Sequence, residues 1–344
     1  MTEKITGKPC PTRLKSILSG RFGKPSADLL VGPGPGLDAA ILRLRDGRVM
    51  AVAEDPIFPA VGLPLELMGW FTVHIGASDV AVTGVKPEFM TYTLLMPGTS
   101  PESDAERIVA SISEAASGLG ITIAGGHTGW YDVVQVPIVG GVTVWGFAAQ
   151  DRWISPGGSR DGDIILMTKG PSIEAVALLS VLYREKLAGA VPGELLKTAL
   201  SRTDQITVVE DAAVAFAAGG VHAMHDATEG GVLGGLWEMH SASGLSLLAD
   251  LDNVEIPADI RAVSDSLDFD PWAAISEGTL LAAVDPGRAD TVRKALADRG
   301  IPVWIIGRFD AKLKSNRLRR NGKEMELTEP GPDPFWRLFF AGLA

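Results

Sequence analysis

Apolar residues recur along the chain with two periods, and each change of period marks a new element. After a polar arm over 1–28 with one short helix from Arg13 to Ser19, Leu29-Leu30-Val31 reads as a strand entering the rigid loop Gly32-Pro33-Gly34-Pro35-Gly36. Apolar runs at 39–42 and 49–53 flank Asp46-Gly47, a hairpin signal. The second of these strands is expected to stop at Glu54-Asp55-Pro56, which leaves Asp55 at a strand end facing a site. Pro64 opens a helix whose Leu67, Phe71, Ala77 and Ala81 share helical spacing and which Gly84 and Pro87 terminate. A strand over 88–96 follows, then a helix with Ser100 as its cap and Ile108, Val109, Ile112, Ala115, Ala116 and Leu119 as its buried stripe. A strand over 121–124 runs into Gly125-Gly126-His127-Thr128-Gly129, and another covers 133–144.

Glycine, proline and polar residues cluster from Ser155 to Gly162, which predicts a boundary and divides the chain into domains 1–153 and 154–344. The second half opens with a strand over 164–167, the turn Thr168-Lys169-Gly170-Pro171-Ser172 and a helix over 173–183. Helices over 193–202, 207–218 and 288–298 and strands over 245–250, 279–284 and 303–306 complete it. The segment His225-Asp226-Ala227-Thr228-Glu229-Gly230-Gly231 leads into a helix with Val232, Leu233, Leu236 and Met239 inward. The expected class is α/β with mixed sheets in both domains.

Composition narrows the chemistry. With 344 residues, 46% hydrophobic and 21% charged, the chain is an ordinary globular protein large enough to bury its own cores. A single cysteine, Cys10, excludes an intramolecular disulfide and any cysteine-built zinc or iron–sulfur site. The formal charge of −11 argues against coating a nucleic acid, which needs a concentrated positive surface. No apolar run is long enough for a membrane span and the start has no signal core, so a cytoplasmic protein is expected.

The unusual numbers are 40 glycines and 22 prolines, and many of the glycines stand beside acids. Gly36-Leu37-Asp38, Glu54-Asp55-Pro56 and Ser78-Asp79-Val80 each offer a carboxylate at an element end or within an apolar helix. Each alone also fits a turn or a cap. Together they are what a hard cation shared with phosphates requires. Asp79 is the hardest to read as a cap, because a lone carboxylate among small and apolar residues is costly to bury. The Asp226–Gly231 segment precedes a helix, whose first N–H groups suit an anion. His74 and His240 lie in helical patterns and read as structural, the basic run from Lys312 to Lys323 as a solvated hairpin, and the tail from Phe335 to Phe340 as packing.

Seven segments in collinear order resemble the AIR synthase (PurM-like) superfamily: Gly36–Ala40, Asp55-Pro56, Ala77–Pro87, Gly125–Thr128, Thr168-Lys169-Gly170, His225–Gly231 and Ser276–Leu281. Within it the pattern is most similar to hydrogenase maturation factors of the HypE type and their AIR-synthase-related paralogues. The resemblance implies an N-terminal sheet domain that forms a homodimer and a C-terminal α/β domain covering a cleft for ATP and Mg²⁺. The shared chemistry is phosphorylation of an amide-like or other oxygen on a small or protein-tethered acceptor, with no nucleic acid and no membrane involved. Carried over by motif, Asp38, Asp55 and Asp79 hold Mg²⁺ and phosphates. Gly125, Gly126, Thr128, Gly170, Asp226, Thr228, Gly230 and Gly231 bind the nucleotide, and Glu277, Lys169 and His127 are the catalytic candidates.

The chain also departs from the pattern. His127 stands where many relatives have Asp, Leu37 where they have a second acid, Ser78 where they have Asn, and Gly129 where the hydrogenase factors have Lys. Those factors end in a cysteine, whereas this sequence reads Phe340-Ala341-Gly342-Leu343-Ala344, so the same self-modifying dehydration is not expected. Two other readings stay open: a kinase similar to thiamine-monophosphate kinase, and a dimeric nucleotide-binding scaffold without catalysis.

Overall fold

In the computed structural model, which describes residues 7–58 and 63–342, a short helix α1 (Pro11–Leu18) begins two residues earlier than the sequence suggests. Pro11 at its first position is preset for helical φ. The first six residues of the expected arm, and Leu343 and Ala344, lie outside the described residues.

Strand β1 (Leu29–Val31) pairs with β2 (Ala40–Arg43), and β2 forms the expected hairpin with β3 (Arg48–Ile57). The Asp46 carboxylate fixes the turn by accepting the Arg48 backbone N–H at 3.0 Å. β3 does not stop at Asp55 but runs on to Ile57, and Pro56 is accommodated where the pairing with its neighbour shifts register. Helix α2 (Leu65–Ala81), β4 (Phe89–Pro97), α3 (Glu102–Leu119), β5 (Thr122–Tyr131) and β6 (Ile138–Ala149) complete a six-stranded sheet of order β1-β2-β3-β6-β4-β5. Only β4 and β5 are parallel, joined through α3.

Three further expectations are corrected in this half. Gly125–Gly129 is the interior of β5, the sheet's exposed edge, and not a loop after a short strand. β6 begins at Ile138 and not at 133, because the chain turns between Tyr131 and Val134. Ser100 caps nothing, since α3 takes Pro101 as its N-cap. Most of α2 is buried, and its remaining face, with Phe71, Ile75 and Asp79, lines a cleft. At Gly69 it meets α3 so closely that a Cβ would lie 2.6 Å from the Ile108 carbonyl oxygen.

The second half contains, in chain order, β7 (Ile164–Thr168), α4 (Ile173–Leu182), α5 (Arg184–Ala188), α6 (Gly193–Ser201), α7 (Val209–Ala218), β8 (Val221–Asp226), α8 (Gly231–Ser243) and β9 (Leu247–Asp250). After these come α9 (Ala258–Leu267), β10 (Leu280–Val284), α10 (Ala289–Asp298), β11 (Val303–Phe309), β12 (Arg317–Arg320), β13 (Lys323–Glu326) and α11 (Pro334–Gly342). The seven-stranded sheet has order β13-β12-β9-β11-β7-β10-β8, antiparallel except between β12 and β9. The basic run forms the β12–β13 hairpin around Asn321-Gly322. Helices α5, α9 and α11 are additions to the sequence reading.

The result is α/β with two mixed sheets. The units meet where Ala81 and Val82, at the end of α2, join the core of α7 and β10, and where Ser78 Oγ accepts the Val208 N–H at 3.1 Å. No described helix is long and apolar enough to cross a membrane.

Candidate active site

A cleft of about 860 Å³ opens between the two sheets, and its floor is acidic. Asp38 enters from the loop before β2, Asp55 from the end of β3 and Asp79 from α2, so the three acids singled out in the sequence converge. The second sheet answers with Asp226 at the end of β8 and Glu277 just before β10. Glu54, Glu174 and Glu229 bring the lining to eight carboxylates against one lysine, Lys8.

Gly36 makes this meeting possible. At φ +70° it lies so close to α8 that a Cβ would sit 2.7 Å from Glu238 Cβ. The loop is thereby seated on the second unit, and Asp38 reaches His225, whose Nδ1 stands 2.8 Å from Asp38 Oδ1. The other ring nitrogen, Nε2, is 3.0 Å from Glu238 Oε2. Burial alone would lower the His225 pKa, but Asp38 and Glu238 raise it well above the ordinary value, which favours a ring that donates to both carboxylates. Burial pushes Asp38 up to about 7; His225 opposes the shift, while Asp226 and Glu238 add to it.

Burial governs the rest, with crowding of like charges adding to it. Burial raises Asp79 well above the usual carboxylate range, and the charges of Asp55, Asp226 and Asp38 add to it. Asp55 lies within hydrogen-bonding reach of Asp79 and is itself raised, by burial first. Burial, the neighbouring Asp226 and the charge of Glu174 hold Glu277 high as well.

Asp226 and Glu277 are each 1% exposed, and both oxygens of both carboxylates lack a hydrogen-bond partner. Buried acceptors without donors are expensive, and convergent carboxylate oxygens are the donor set of a hard divalent cation. Asp38, His225 and Asp226 approach with the compactness of a metal group among the described residues. His225 cannot serve as a ligand, however, because both its nitrogens are engaged by carboxylates. It orients Asp38 instead, as a partner behind a ligand does. The residues therefore fit a cation held by Asp38, Asp55, Asp79 and Asp226.

Other expected site residues lie elsewhere. The Lys169 Nζ is bound to Asp211 Oδ2 at 3.0 Å and to the Thr207 carbonyl at 2.6 Å, buried away from the cleft lining. Gly170 packs against Pro257, outside the lining. Gly125, Gly126, His127 and Thr128 lie on the exposed β5 edge, where His127 Nε2 meets the Tyr131 hydroxyl at 2.7 Å. Thr228 lines the cleft, but Gly230 and Gly231 do not. The start of α8 is not an open anion site: the Gly230 N–H goes to Asp333, that of Gly231 to the Thr228 carbonyl and that of Leu233 to the Trp272 carbonyl.

Sequence reasoning missed three contributors. His225 and Glu238 were inside or beside a noted motif, but their carboxylate partnership is long-range. Lys8 lay in the unassigned arm. The aromatic tail is α11, which presents Phe335, Trp336, Phe339 and Phe340 to the cleft opposite Phe71 and Ile75; its apolar spacing was legible, its exposure to a cavity was not.

The model of the AIR synthase related protein N-terminal domain matches residues 36–148, and that of the C-terminal domain matches 160–317. A curated relative from Cupriavidus necator, carbamoyl dehydratase HypE, is 29% identical over 275 residues, covering 78% of this chain and 74% of its own. Among solved structures, the hydrogenase maturation protein HypE in complex with ATP superposes with a TM-score of 0.69 at 22% identity, covering 96% of this chain and 97% of that one. A ThiL complexed with AMPPCP and TMP also gives 0.69, at 16% identity over 92% and 94%.

Proposed function

The chain belongs to the AIR synthase related family, and from that premise we propose that it is an ATP-dependent enzyme which phosphorylates an oxygen of an acceptor bound in the cleft. The observation that carries this reading is that Asp38, Asp55 and Asp79 from the first half and Asp226 from the second line one cleft. The likeness to structures titled as complexes with ATP and with AMPPCP supports a nucleotide as the occupant. Mg²⁺, when bound, supplies the charge that lets a polyphosphate approach these carboxylates and that offsets charge developing on the phosphates.

The chain's own residues perform the remaining tasks. His225, clamped between Asp38 and Glu238, keeps Asp38 aimed at the cation position. Glu277, which burial and Asp226 make a strong base once ionised, accepts the proton that the acceptor O–H loses as its oxygen attacks the γ-phosphorus and ADP leaves. Phe335, Trp336, Phe339 and Phe340 give the acceptor an apolar wall and exclude water, which favours a small molecule with an apolar body. The chain forms a homodimer along the β5 edge, covering the exposed Trp130 and Tyr131.

Thermal melting tests the central point. Millimolar Mg·ATP raises the melting temperature of the wild-type chain by several degrees, as ligand linkage requires, and Asp55→Asn abolishes the shift. A wild-type protein indifferent to Mg·ATP would refute the reading.

A further inference from the structure

We propose that Lys8 is the protein's phosphate-binding cation, delivered to the cleft by the N-terminal segment; this rests on the nucleotide reading above. A polyphosphate in a cleft with eight carboxylates needs positive charge from the protein as well as from a metal. Lys8 is the only lysine or arginine among the described residues lining the cleft. Lys169 is consumed by Asp211 and a backbone carbonyl, and His225 by two carboxylates.

The Lys8 ammonium is loosely held. Its ion pair with Glu238 Oε1 is long, at 3.8 Å, and its side chain is 47% exposed. Burial would lower its pKa, yet the charges of Glu238, Asp38, Asp79 and Glu229 raise it, so it is positive throughout the working range and faces the acids that would share the ligand. Its backbone, in contrast, is fixed. The Lys8 N–H donates to Glu229 Oε2 at 2.6 Å, and Thr12 donates from both its N–H and its hydroxyl to Glu329. Gly7, at φ +77°, lies flat against the Trp336 ring, where any Cβ would collide. Pro9 and Pro11 stiffen what lies between. A pinned main chain with a half-exposed ammonium suits a group that must sit among carboxylates and turn to a phosphate.

Isothermal titration of wild type, Lys8→Gln and Lys8→Arg with AMPPCP in excess Mg²⁺, and separately with AMP, tests this. Lys8→Gln is expected to weaken Mg·AMPPCP binding about 10- to 100-fold, the worth of a charge-assisted phosphate contact, with AMP binding unchanged and Lys8→Arg retaining affinity. Wild-type affinity in Lys8→Gln would overturn the assignment while leaving the nucleotide reading intact. Equal losses for Lys8→Gln and Lys8→Arg, or a parallel loss for AMP, would assign the effect to the segment's geometry and overturn it too. A wild-type protein that binds no Mg·AMPPCP overturns the nucleotide reading and the role of Lys8 with it.

Discussion

Burial on α4, with the charges of Asp333, Glu229 and Asp226 close by, pushes the Glu174 carboxyl up to about 8. Its folded pKa then exceeds the unfolded value near 4.5, so the folded chain keeps a proton that the unfolded chain releases. The stability linked to this proton is fully present below about pH 4.5 and is lost as pH rises through 8. Asp38, at about 7, and Asp333, at about 6, carry the same sign. The ligand-free melting temperature is therefore expected to fall between pH 5 and 8. Glu174→Gln, which mimics the protonated acid, is expected to raise melting by about 2–4 °C at pH 8 and barely at pH 5. A scan of the two proteins in parallel decides it, and coincident profiles would contradict the assignment. At Lys169 the expectation is the reverse of a catalytic one. Lys169→Met leaves Asp211 buried without its cation and costs about 3–5 kcal/mol in urea unfolding, with nucleotide affinity spared in the protein that remains folded. At this scale the acids were legible, because carboxylates flanked by glycine or set in an apolar helix are anomalous in the sequence itself. The fate of Lys169 was not, because the partner that neutralises it, Asp211, lies on α7, beyond three intervening helices. Nor was the role of His225, whose partner Asp38 is 187 residues away.

Elements follow the same division. The Asp46-Gly47 hairpin and helices α2 and α3 were readable because turn chemistry and periodicity are local. β5 was misjudged because its glycines remove the alternation that announces a strand, and a parallel partner supplied through α3 leaves no turn signal. α11 was read as mere packing because its aromatic spacing is the same whether it faces a core or a cavity. The loop before β2 makes a sharper test. Gly36→Ala places a Cβ 2.7 Å from Glu238 Cβ and 2.8 Å from its carbonyl oxygen, at a backbone angle that alanine resists. It is expected to cost about 1–3 kcal/mol and, by lifting Asp38 from His225, to abolish the Mg·ATP melting shift. Gly34→Ala, which would meet only the flexible side chain of Leu37, is the control expected to keep that shift. Loss of the shift in both variants would mean the loop matters for reasons other than its seat on α8.

For the whole molecule, the two halves meet along a seam that is also the site, and one apolar cluster runs across it from Ile41 and Val49 to Ile173 and Phe335, so docking of the halves and assembly of the carboxylates are one event. The exposed β5 edge predicts a solution mass of twice 36.2 kDa by light scattering; a monomer at micromolar concentration would remove the proposed interface. Gly7 and Trp336 touch at the mouth of the cleft, with Phe340 also in its lining, so the first and last described segments meet there. This contact has a practical bearing on how the protein is handled. A tag joined directly to either of these described segments would start from the opening, and a polyhistidine tag would bring metal-binding imidazoles near it. A tag inserted at the Asn321-Gly322 turn, on the outermost hairpin of the second sheet, stands clear of the lining. Assays meant to identify the acceptor are best begun with that arrangement.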